Sequence, residues 1–373
     1  MTGPLAGIRV LEVGHLLAGP FGAMLLADLG ADVIKIEPIG GDVSRQVGSR
    51  AVDGHNVYFA SLNRNKRSVH LDLTTPEGQA AFGDLVASAH ALLVNLRPSA
   101  IRKLGLDYES LRTRNPKLVC VALTGFGLDG PAREWPAFDY VIQANTGVAA
   151  MTGEPDGPPV LAGYSAVDNS AGIMAALGLV AKVLEGKGGQ IDISLYDVML
   201  SQLNYKAAEY LNGGAPPARQ AFGAHTFYVP AQLFECGSGH LAIFVTHDEF
   251  WRRLCTEVGQ PEWADDPRFA TMAARFEHRE QLLADLGAVL RQAPAGEWVE
   301  RLRPLGLAVG EVLGLDAALD GDLAQARGMV TGIDTPDGPL RMVGNPIHVV
   351  DQEPEYRPPP RLHEHTDEIL GQA

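Results

Sequence analysis

Asp168 is the residue whose type and setting most clearly indicate chemistry. It lies in the segment GYSAVDNSAG (163–172), directly before a long apolar run that is predicted as a helix. A carboxylate here would be a common helix cap, and the positive end of the helix dipole favours its ionised form at neutral pH. An ionised, partly desolvated carboxylate can also attack a thioester carbonyl. The sequence therefore predicts either a helix cap or a nucleophile, and the two roles are compatible.

Other catalytic templates fail on their context. The glycines of GFGLDG (125–130) have dinucleotide-binding spacing, but Pro131 and Pro136 follow where such a loop would open a helix. We expect these glycines to shape a loop close to a ligand or to the active site. His363 and His365 form the one close histidine pair, in a proline-rich tail, which favours a surface turn over a metal site.

The elements that must position Asp168 alternate between short strands and helices. Apolar or β-branched runs separated by helical patterns predict a parallel α/β sheet. These runs are 8–13, 32–37, 68–73, 91–96 and 117–124. A loose passage rich in glycine and proline spans 125–163, and the apolar helix is predicted over 169–184.

Chain length and a mid-chain break predict two domains. A chain of 373 residues with 46% hydrophobic residues exceeds one ordinary core. The segment NGGAPP (212–217) interrupts the helical pattern within a boundary near 211–230. Beyond it, QLFECGSGHLAIFV (232–245) predicts a hairpin that opens a smaller α+β domain.

The charge balance excludes a generic nucleic-acid surface. The formal net charge is −15 and the pI is near 5.1, whereas phosphate binding needs a basic face. A polyanionic ligand would need a local basic pocket. Basic residues concentrate at 63–67 and at Arg97, Arg102 and Lys103.

Cysteine usage and the N-terminus favour the cytosol. The three cysteines lack Cys-x-x-Cys spacing, which fits a reducing compartment and argues against a disulfide framework or a thiolate zinc site. No signal peptide is evident, and no apolar run was found to reach the roughly 18 residues that span a bilayer. We therefore expect a cytoplasmic protein with neither a membrane nor a nucleic acid as partner.

The sequence resembles the family III CoA-transferases over nearly its whole length. That group includes formyl-CoA transferase, carnitine CoA-transferase, succinyl-CoA:glutarate CoA-transferase and the α-methylacyl-CoA racemases. The resembling segments are PLAGIRVLEVGHLLAGPFGAMLLADLGADVIKIEP (4–38), NRNKRS (63–68), TGFGLDGP (124–131), AFDY (137–140), GGQIDISL (188–195) and EHTDEIL (364–370). Several ordered motifs in one chain are more specific than any one of them.

The resemblance implies a site and a reaction. Asp168 stands where the family carries its nucleophilic aspartate, which implies ping-pong transfer through a mixed anhydride and an aspartyl-CoA thioester. CoA is then a substrate moiety rather than a permanently bound cofactor, passing from an acyl-CoA donor to a carboxylate acceptor. The positions similar to the family's CoA contacts are His15, Ala18, Leu71, Asn95, Leu96, Arg97 and Lys103. Arg97 and Lys103 would meet the phosphates.

The resemblance also implies an architecture. We expect a large Rossmann-like domain built from both chain ends, 1–210 and 331–373, with a small α+β domain over 225–330. Members of the family form interlocked homodimers, so an interlocked homodimer is expected.

Two other functions stay open. One is an acyl-CoA racemase or epimerase, although Phe138 stands where the racemases carry a histidine base. The other is a non-catalytic CoA-thioester-binding protein in which Asp168 only caps a helix. Leu17 replaces a polar residue of formyl-CoA transferase, which argues against formate and oxalate as the natural pair. We expect the substrates to be small carboxylic or dicarboxylic acids.

Overall fold

The computed structural model describes residues 2–371, which form two compact units. The first unit contains the residues up to Thr146, Ala162–Gly214 and the residues from Asp322 onward. The second contains Gly147–Leu161 and Ala215–Gly321. Relative to the predicted domain over 1–210, the first unit lacks Gly147–Leu161.

Strands and helices alternate through the first 200 residues, as the hydrophobic pattern predicts. The strands are β1 (Arg9–Val13), β2 (Asp32–Glu37), β3 (Ala51–Val52), β4 (His55–Asn56), β5 (Arg67–His70), β6 (Ala91–Val94), β7 (Val119–Thr124), β8 (Gly189–Ser194), β9 (Ala231–Glu235), β10 (His240–Phe244), β11 (Ala308–Glu311), β12 (Val330–Ile333) and β13 (Leu340–Val343). The helices are α1 (Ala18–Asp28), α2 (Val57–Asn63), α3 (Pro76–Ser88), α4 (Pro98–Leu104), α5 (Tyr108–Leu111), α6 (Asp139–Asn145), α7 (Val148–Met151), α8 (Ala166–Glu185), α9 (Leu195–Gln202), α10 (Asn204–Leu211), α11 (Asp248–Glu257), α12 (Met272–Glu277), α13 (Arg279–Leu290), α14 (Ala295–Leu302), α15 (Leu315–Asp320), α16 (Asp322–Ala326) and α17 (Thr366–Leu370).

Six parallel strands form the central sheet of the first unit, in the order β5-β2-β1-β6-β7-β8. β6 and β7 are almost wholly apolar and are buried throughout, as in other parallel sheets covered on both faces, whereas the edge strand β8 is mostly half-buried or exposed. The chain moves outward from β1 in one direction and, from β6, in the other. This is the order of a doubly wound sheet, and its carboxyl edge has a crevice where the direction reverses, between β1 and β6. The predicted parallel α/β sheet is confirmed.

Helices α1 and α8 approach closely at two glycines. A Cβ on Gly22 would lie 2.5 Å from the carbonyl oxygen of Gly172, and a Cβ on Gly172 would lie 2.6 Å from that of Ala18. Only glycine permits this approach, because no other side chain fits the space. The crossing places the first turns of the two helices side by side, so Ala18 comes near the turn that carries Asp168.

Among residues 2–371, α8 alone is long and apolar enough to cross a membrane by length and composition, with a mean hydropathy of 1.4. The sequence has no uninterrupted apolar run of that length here, because Asp168 and Lys182 lie within α8. One side of α8 packs on α1 and β7, with Val167, Ala171, Ala175 and Leu179 buried. The opposite side leaves Ile173, Leu177 and Leu184 exposed.

The basic run at 63–67 is part of the core rather than of a ligand pocket. The Arg64 Nη2 atom lies 2.7 Å from Asp28 Oδ2, and Lys66 Nζ lies 2.7 Å from Glu12 Oε2. Both cations are almost fully buried. Buried charges persist only when they are paired. The expectation that this run serves a polyanion is therefore wrong for Arg64 and Lys66, because carboxylates of the same chain already neutralise them.

The C-terminal segment is bonded to the first unit through the same region. Asn345 Nδ2 donates a hydrogen bond to Asp28 Oδ2 at 3.2 Å. The His365 N–H donates to the carbonyl oxygen of Ser68 at 2.9 Å, just before α17. These contacts explain why residues from Asp322 onward belong to the first unit.

The second unit is built on three antiparallel strands in the order β11-β10-β9. The predicted hairpin is confirmed, since β9 and β10 pair along their whole length. Its apolar face packs on a helical layer whose buried centre includes Trp251, Phe269 and Leu286.

Candidate active site

A cavity of about 190 Å³ opens at the point where the sheet order reverses. The loop after β1 contributes residues 15–18 to its wall, and the loop after β6 contributes residues 95–98. Asp168, from the first turn of α8, completes this part of the lining. Ligands of doubly wound sheets bind at this position, because two adjacent loops diverge there and leave a crevice.

The tertiary structure brings most of the predicted site residues together. Those that line the cavity are His15, Ala18, Asn95, Leu96, Arg97 and Asp168. A second cavity of about 380 Å³ shares His15 and Leu96 with the first and is also lined by Leu71. Lys103 lines neither of these two cavities and lies exposed in the last turn of α4. The prediction of Lys103 as a CoA contact thus gains no support from the cavity walls.

Asn95 holds the β1–α1 loop rather than extending freely into the cavity. Its Oδ1 accepts a hydrogen bond from the His15 N–H at 2.9 Å, and its Nδ2 donates to the His15 carbonyl oxygen at 3.0 Å. Glycines at 14 and 19 make room for it, because a Cβ on either would lie within 3 Å of the Asn95 amide. Asn95 therefore fixes where the His15 backbone lies in the cavity wall.

Asp168 is not the cap of its helix. The helix begins at Ala166, three residues before the predicted start, and Asp168 lies in its first turn. The capping position belongs to Ser165, whose side chain makes no capping hydrogen bond. The prediction of Asp168 as a cap is wrong, because the first-turn amides are satisfied by another residue.

That other residue is Asp139, which lies at the start of α6. Its Oδ2 accepts hydrogen bonds from the N–H groups of Val167 at 2.8 Å and of Asp168 at 3.1 Å. Asp139 is buried, and its Oδ1 accepts from the Gln143 side chain, whose Oε1 in turn accepts from the Ala162 N–H at 2.8 Å. Asp139 thus caps α8 from a neighbouring helix and leaves the Asp168 carboxyl group free to face the cavity.

The ionisation of Asp168 also differs from the expectation. Burial, together with the negative charge of Asp139, raises the pKa of Asp168 to about 7. The expected dipole effect is outweighed, because the helix N-terminus already faces a negative carboxylate. Near neutral pH the group is therefore divided between its acid and its carboxylate form. Carboxyl groups with such raised pKa values are frequent at functional sites.

Sequence reasoning missed Asp139 and Gln143 as functional residues. Asp139 and Gln143 are four apart on α6, the spacing of side chains that hydrogen-bond on one helix face. That spacing was visible, although the identity of their partner, the first turn of α8, was not.

The glycine-rich loop after β7 forms another part of the wall. Gly125 lines the cavity, and a Cβ there would lie 2.3 Å from the Cβ of Ala137. The expected closeness of this loop to the cavity is confirmed for Gly125. The passage is also less irregular than predicted, since α6 and α7 lie within it.

The cavity combines one acidic group with a wall of apolar, polar and basic residues. Of the described residues that line it, only Asp168 carries a carboxyl group. Burial lowers the pKa of His15, so its imidazole is neutral at neutral pH. The remaining wall mixes apolar residues with the polar or basic side chains of Thr124, Arg97 and Arg133; the apolar ones include Leu16, Leu17, Leu123, Trp135, Phe138 and Leu195. A partly desolvated carboxyl group in such a wall suits covalent catalysis.

Comparison with known proteins agrees with this geometry. Residues 5–366 match the model of CoA-transferase family III. A succinate–glutarate CoA-transferase of Agrobacterium fabrum is 36% identical over 383 residues, covering 99% of this chain and 95% of the relative. An acetyl-CoA:oxalate CoA-transferase of Acetobacter aceti is 35% identical over 370 residues, covering 97% and 94%. A CaiB/BaiF family protein from Brucella suis has a crystal structure with a TM-score of 0.86, at 34% identity over 100% of both chains. A match of this extent, over nearly the whole chain, establishes that the chain is an enzyme of CoA-transferase family III.

Proposed function

We propose that this enzyme moves CoA between small carboxylic or dicarboxylic acids through a covalent intermediate on Asp168. Its relatives are named as CoA-transferases, which supports CoA transfer between an acyl-CoA and a carboxylate. The observation that carries the finer proposal is that Asp168 is the one carboxyl group among the described residues of the cavity wall. The names succinate, glutarate and oxalate belong to the relatives, and they direct the choice of test substrates.

The proposed reaction has two halves. An Asp168 oxygen attacks the acyl carbon of the donor thioester, and the C–S bond breaks to give a mixed anhydride and CoA thiolate. The thiolate then attacks the Asp168 carbonyl carbon, which releases the donor acid and leaves an aspartyl-CoA thioester. The acceptor carboxylate attacks this thioester, and the thiolate leaves again. It finally attacks the acceptor's acyl carbon, which frees the acyl-CoA product and the Asp168 carboxylate.

The surroundings of Asp168 suit these steps. The apolar residues of the wall, among them Leu17, Leu123 and Leu195, reduce the access of water, which would otherwise hydrolyse the anhydride. Arg97, at the N-terminus of α4, can form an ion pair with a phosphate of CoA. The second cavity, which Leu71 lines, offers apolar surface for another part of CoA. Lys103, exposed on α4, would reach only a part of CoA that lies outside the cavities. We propose that CoA binds in this way as a substrate moiety.

The test is to trap the intermediate. The enzyme is incubated with succinyl-CoA, quenched in acid and digested, and the peptide that contains Asp168 is examined by mass spectrometry. We expect the mass of an aspartyl-CoA adduct on that peptide and, after hydroxylamine is added, an aspartyl hydroxamate. A panel of acyl-CoA donors and acceptor acids then identifies the substrates by the size of the trapped fraction.

Two outcomes would contradict the proposal. One is productive transfer with the label on a different residue. The other is deuterium exchange at the acyl α-carbon without any acceptor acid, which would instead support the racemase alternative.

We propose further that the enzyme is a homodimer, interlocked as the resemblance implies. The exposed side of α8 presents Ile173, Leu177 and Leu184, an apolar surface of a kind that soluble monomers seldom leave open.

Light scattering coupled to size exclusion should give twice the chain mass of 39.8 kDa. We expect Leu177→Asp to shift the protein toward the monomer, since a carboxylate would then be buried unpaired. A native mass of one chain would refute the dimer.

A cytoplasmic location is proposed on the acidic composition and the free, buried cysteines. Fractionation of the source cells tests it, and recovery outside the cytoplasm would refute it.

A further inference from the structure

The loop between β1 and α1 contains a strained residue in the cavity wall. Leu16 has a φ of 63°, in the left-handed region that leucine seldom adopts. Such a conformation is strained for a residue with a Cβ and persists only where the surroundings impose it. Because Leu16 lies between His15 and Leu17, both in the same wall, its conformation decides where these residues face the cavity.

Two charged side chains hold the backbone of this loop on either side of His15. Lys35 Nζ donates a hydrogen bond to the carbonyl oxygen of Gly14 at 3.1 Å. The Leu16 N–H donates to Asp42 Oδ1 at 3.2 Å. Asn95 exchanges two hydrogen bonds with the His15 backbone, one accepted and one donated. The backbone of every residue from 14 to 16 is therefore hydrogen-bonded to a side chain from another part of the fold.

Lys35 and Asp42 also form a buried ion pair with each other. Lys35 Nζ lies 2.8 Å from Asp42 Oδ2, and both side chains are fully excluded from solvent. Asp42 Oδ1 also accepts from the Ser44 N–H at 2.8 Å, which fixes the rotation of the carboxylate. Burial opposes the ionisation of Asp42, but the charge of Lys35 outweighs it and lowers the pKa of Asp42 to about 2. The Leu16 N–H thus donates to a permanent anion, which makes a stronger hydrogen bond than a neutral acceptor would.

The pair is anchored in the central sheet. Lys35 on β2 stands beside Glu12 on β1 in the strand register, with its Nζ 2.7 Å from Glu12 Oε1. Lys66 Nζ bonds the other oxygen, Oε2, at 2.7 Å. The positive charges of Lys35 and Lys66 are therefore balanced by the carboxylates of Glu12 and Asp42. Although Asp42 lies in a loop, its carboxylate is fixed to the sheet through Lys35.

We propose that Asp42, fixed by Lys35, is a positioning residue for CoA transfer: it holds Leu16 in its left-handed conformation and so sets residues 15–18 of the cavity wall against Asp168. The kinetic part of this inference rests on the proposed function, whereas the structural part does not. Asp42 does not line the cavity that contains Asp168 and acts on it through the loop. It does border the second cavity, so acyl-CoA binding must be measured separately from turnover.

The kinetic test compares two substitutions at position 42 with a matched control. Asp42→Ala removes the acceptor for the Leu16 N–H, and we expect kcat to fall about 100-fold, as misplaced catalytic geometry does. Asp42→Asn keeps an acceptor oxygen, and we expect it to stay within about tenfold of the native kcat. Asp28 is the control, because its carboxylate is equally buried, is paired with Arg64 at 2.7 Å and borders neither cavity. Asp28→Asn should lower Tm while kcat stays within about twofold of native.

Hydrogen exchange tests the structural part without any substrate. We expect the amides of residues 14–17 to exchange about tenfold faster in Asp42→Ala than in the native protein, and to be unchanged in Asp28→Asn. Unchanged exchange in Asp42→Ala would overturn the proposal. So would a kcat of Asp42→Asn as low as that of Asp42→Ala, or a kcat that follows Tm equally in the Asp28 and Asp42 variants. If exchange rises but the native protein transfers no CoA to any acid, the proposed function fails and the loop assignment stands.

Discussion

Asp168→Ala is expected to abolish CoA transfer, with kcat reduced by about 10⁴-fold or more, as when a covalent nucleophile is removed from other enzymes. The physical reason is that no other described residue of the cavity wall carries a carboxyl group that could take its place. The variant should bind the acyl-CoA and release neither free acid nor free CoA from it. Single-turnover assays with labelled acyl-CoA measure both.

Asp197 provides the matched control for this variant. It occupies the same third position of its helix, α9, that Asp168 occupies in α8, but it is exposed and lines neither cavity. Asp197→Ala should retain activity within about twofold of native, since exposed substitutions away from a site seldom matter. Asp168→Ala with more than about one hundredth of native activity and a normal Tm would refute the nucleophile assignment.

Asp139→Ala is expected to lower kcat about 100-fold, because the first turn of α8 loses its cap and Asp168 loses its fixed position. The Val167 and Asp168 N–H groups would be left without the carboxylate that accepts both. The effect on KM for the acyl-CoA should be smaller, because Asp139 is buried and does not line the cavity. Steady-state kinetics separates the two parameters.

Asp139→Asn separates the charge of Asp139 from its capping role. It keeps one oxygen for the two N–H groups, at the cost of the contact with Gln143. In the native enzyme the attacking group is the carboxylate form of Asp168, whose pKa is about 7, so the rate should rise with pH through about 7 and level off above it. Because the charge of Asp139 contributes to that raised pKa, its removal should move the rise to lower pH. A pH–rate profile that does not move, or that moves to higher pH, would contradict this account.

The fold was predictable because its main signals are local. The runs at 8–13, 32–37, 91–96 and 117–124 became β1, β2, β6 and β7, since each is short and rich in apolar or β-branched residues. Thr75 and Pro76 fixed the start of α3 in the same way, through a side-chain cap and a proline in the first turn. The failures occurred where the signal was weak, as at the start of α8, where Ser165 makes no side-chain cap.

By itself the sequence determined the parallel α/β sheet, the hairpin of the second unit and, through resemblance, the family and the choice of Asp168 as the proposed nucleophile. Local propensity and ordered motifs carry that information along the chain. Only the tertiary structure decided the environments of the charged groups: Arg64 and Lys66 became buried ion pairs, Asp139 took the capping role, and Asp42 reached Leu16 from 26 residues away. Burial and charge pairing depend on residues that are distant in sequence, and these set the pKa and the position of a carboxyl group.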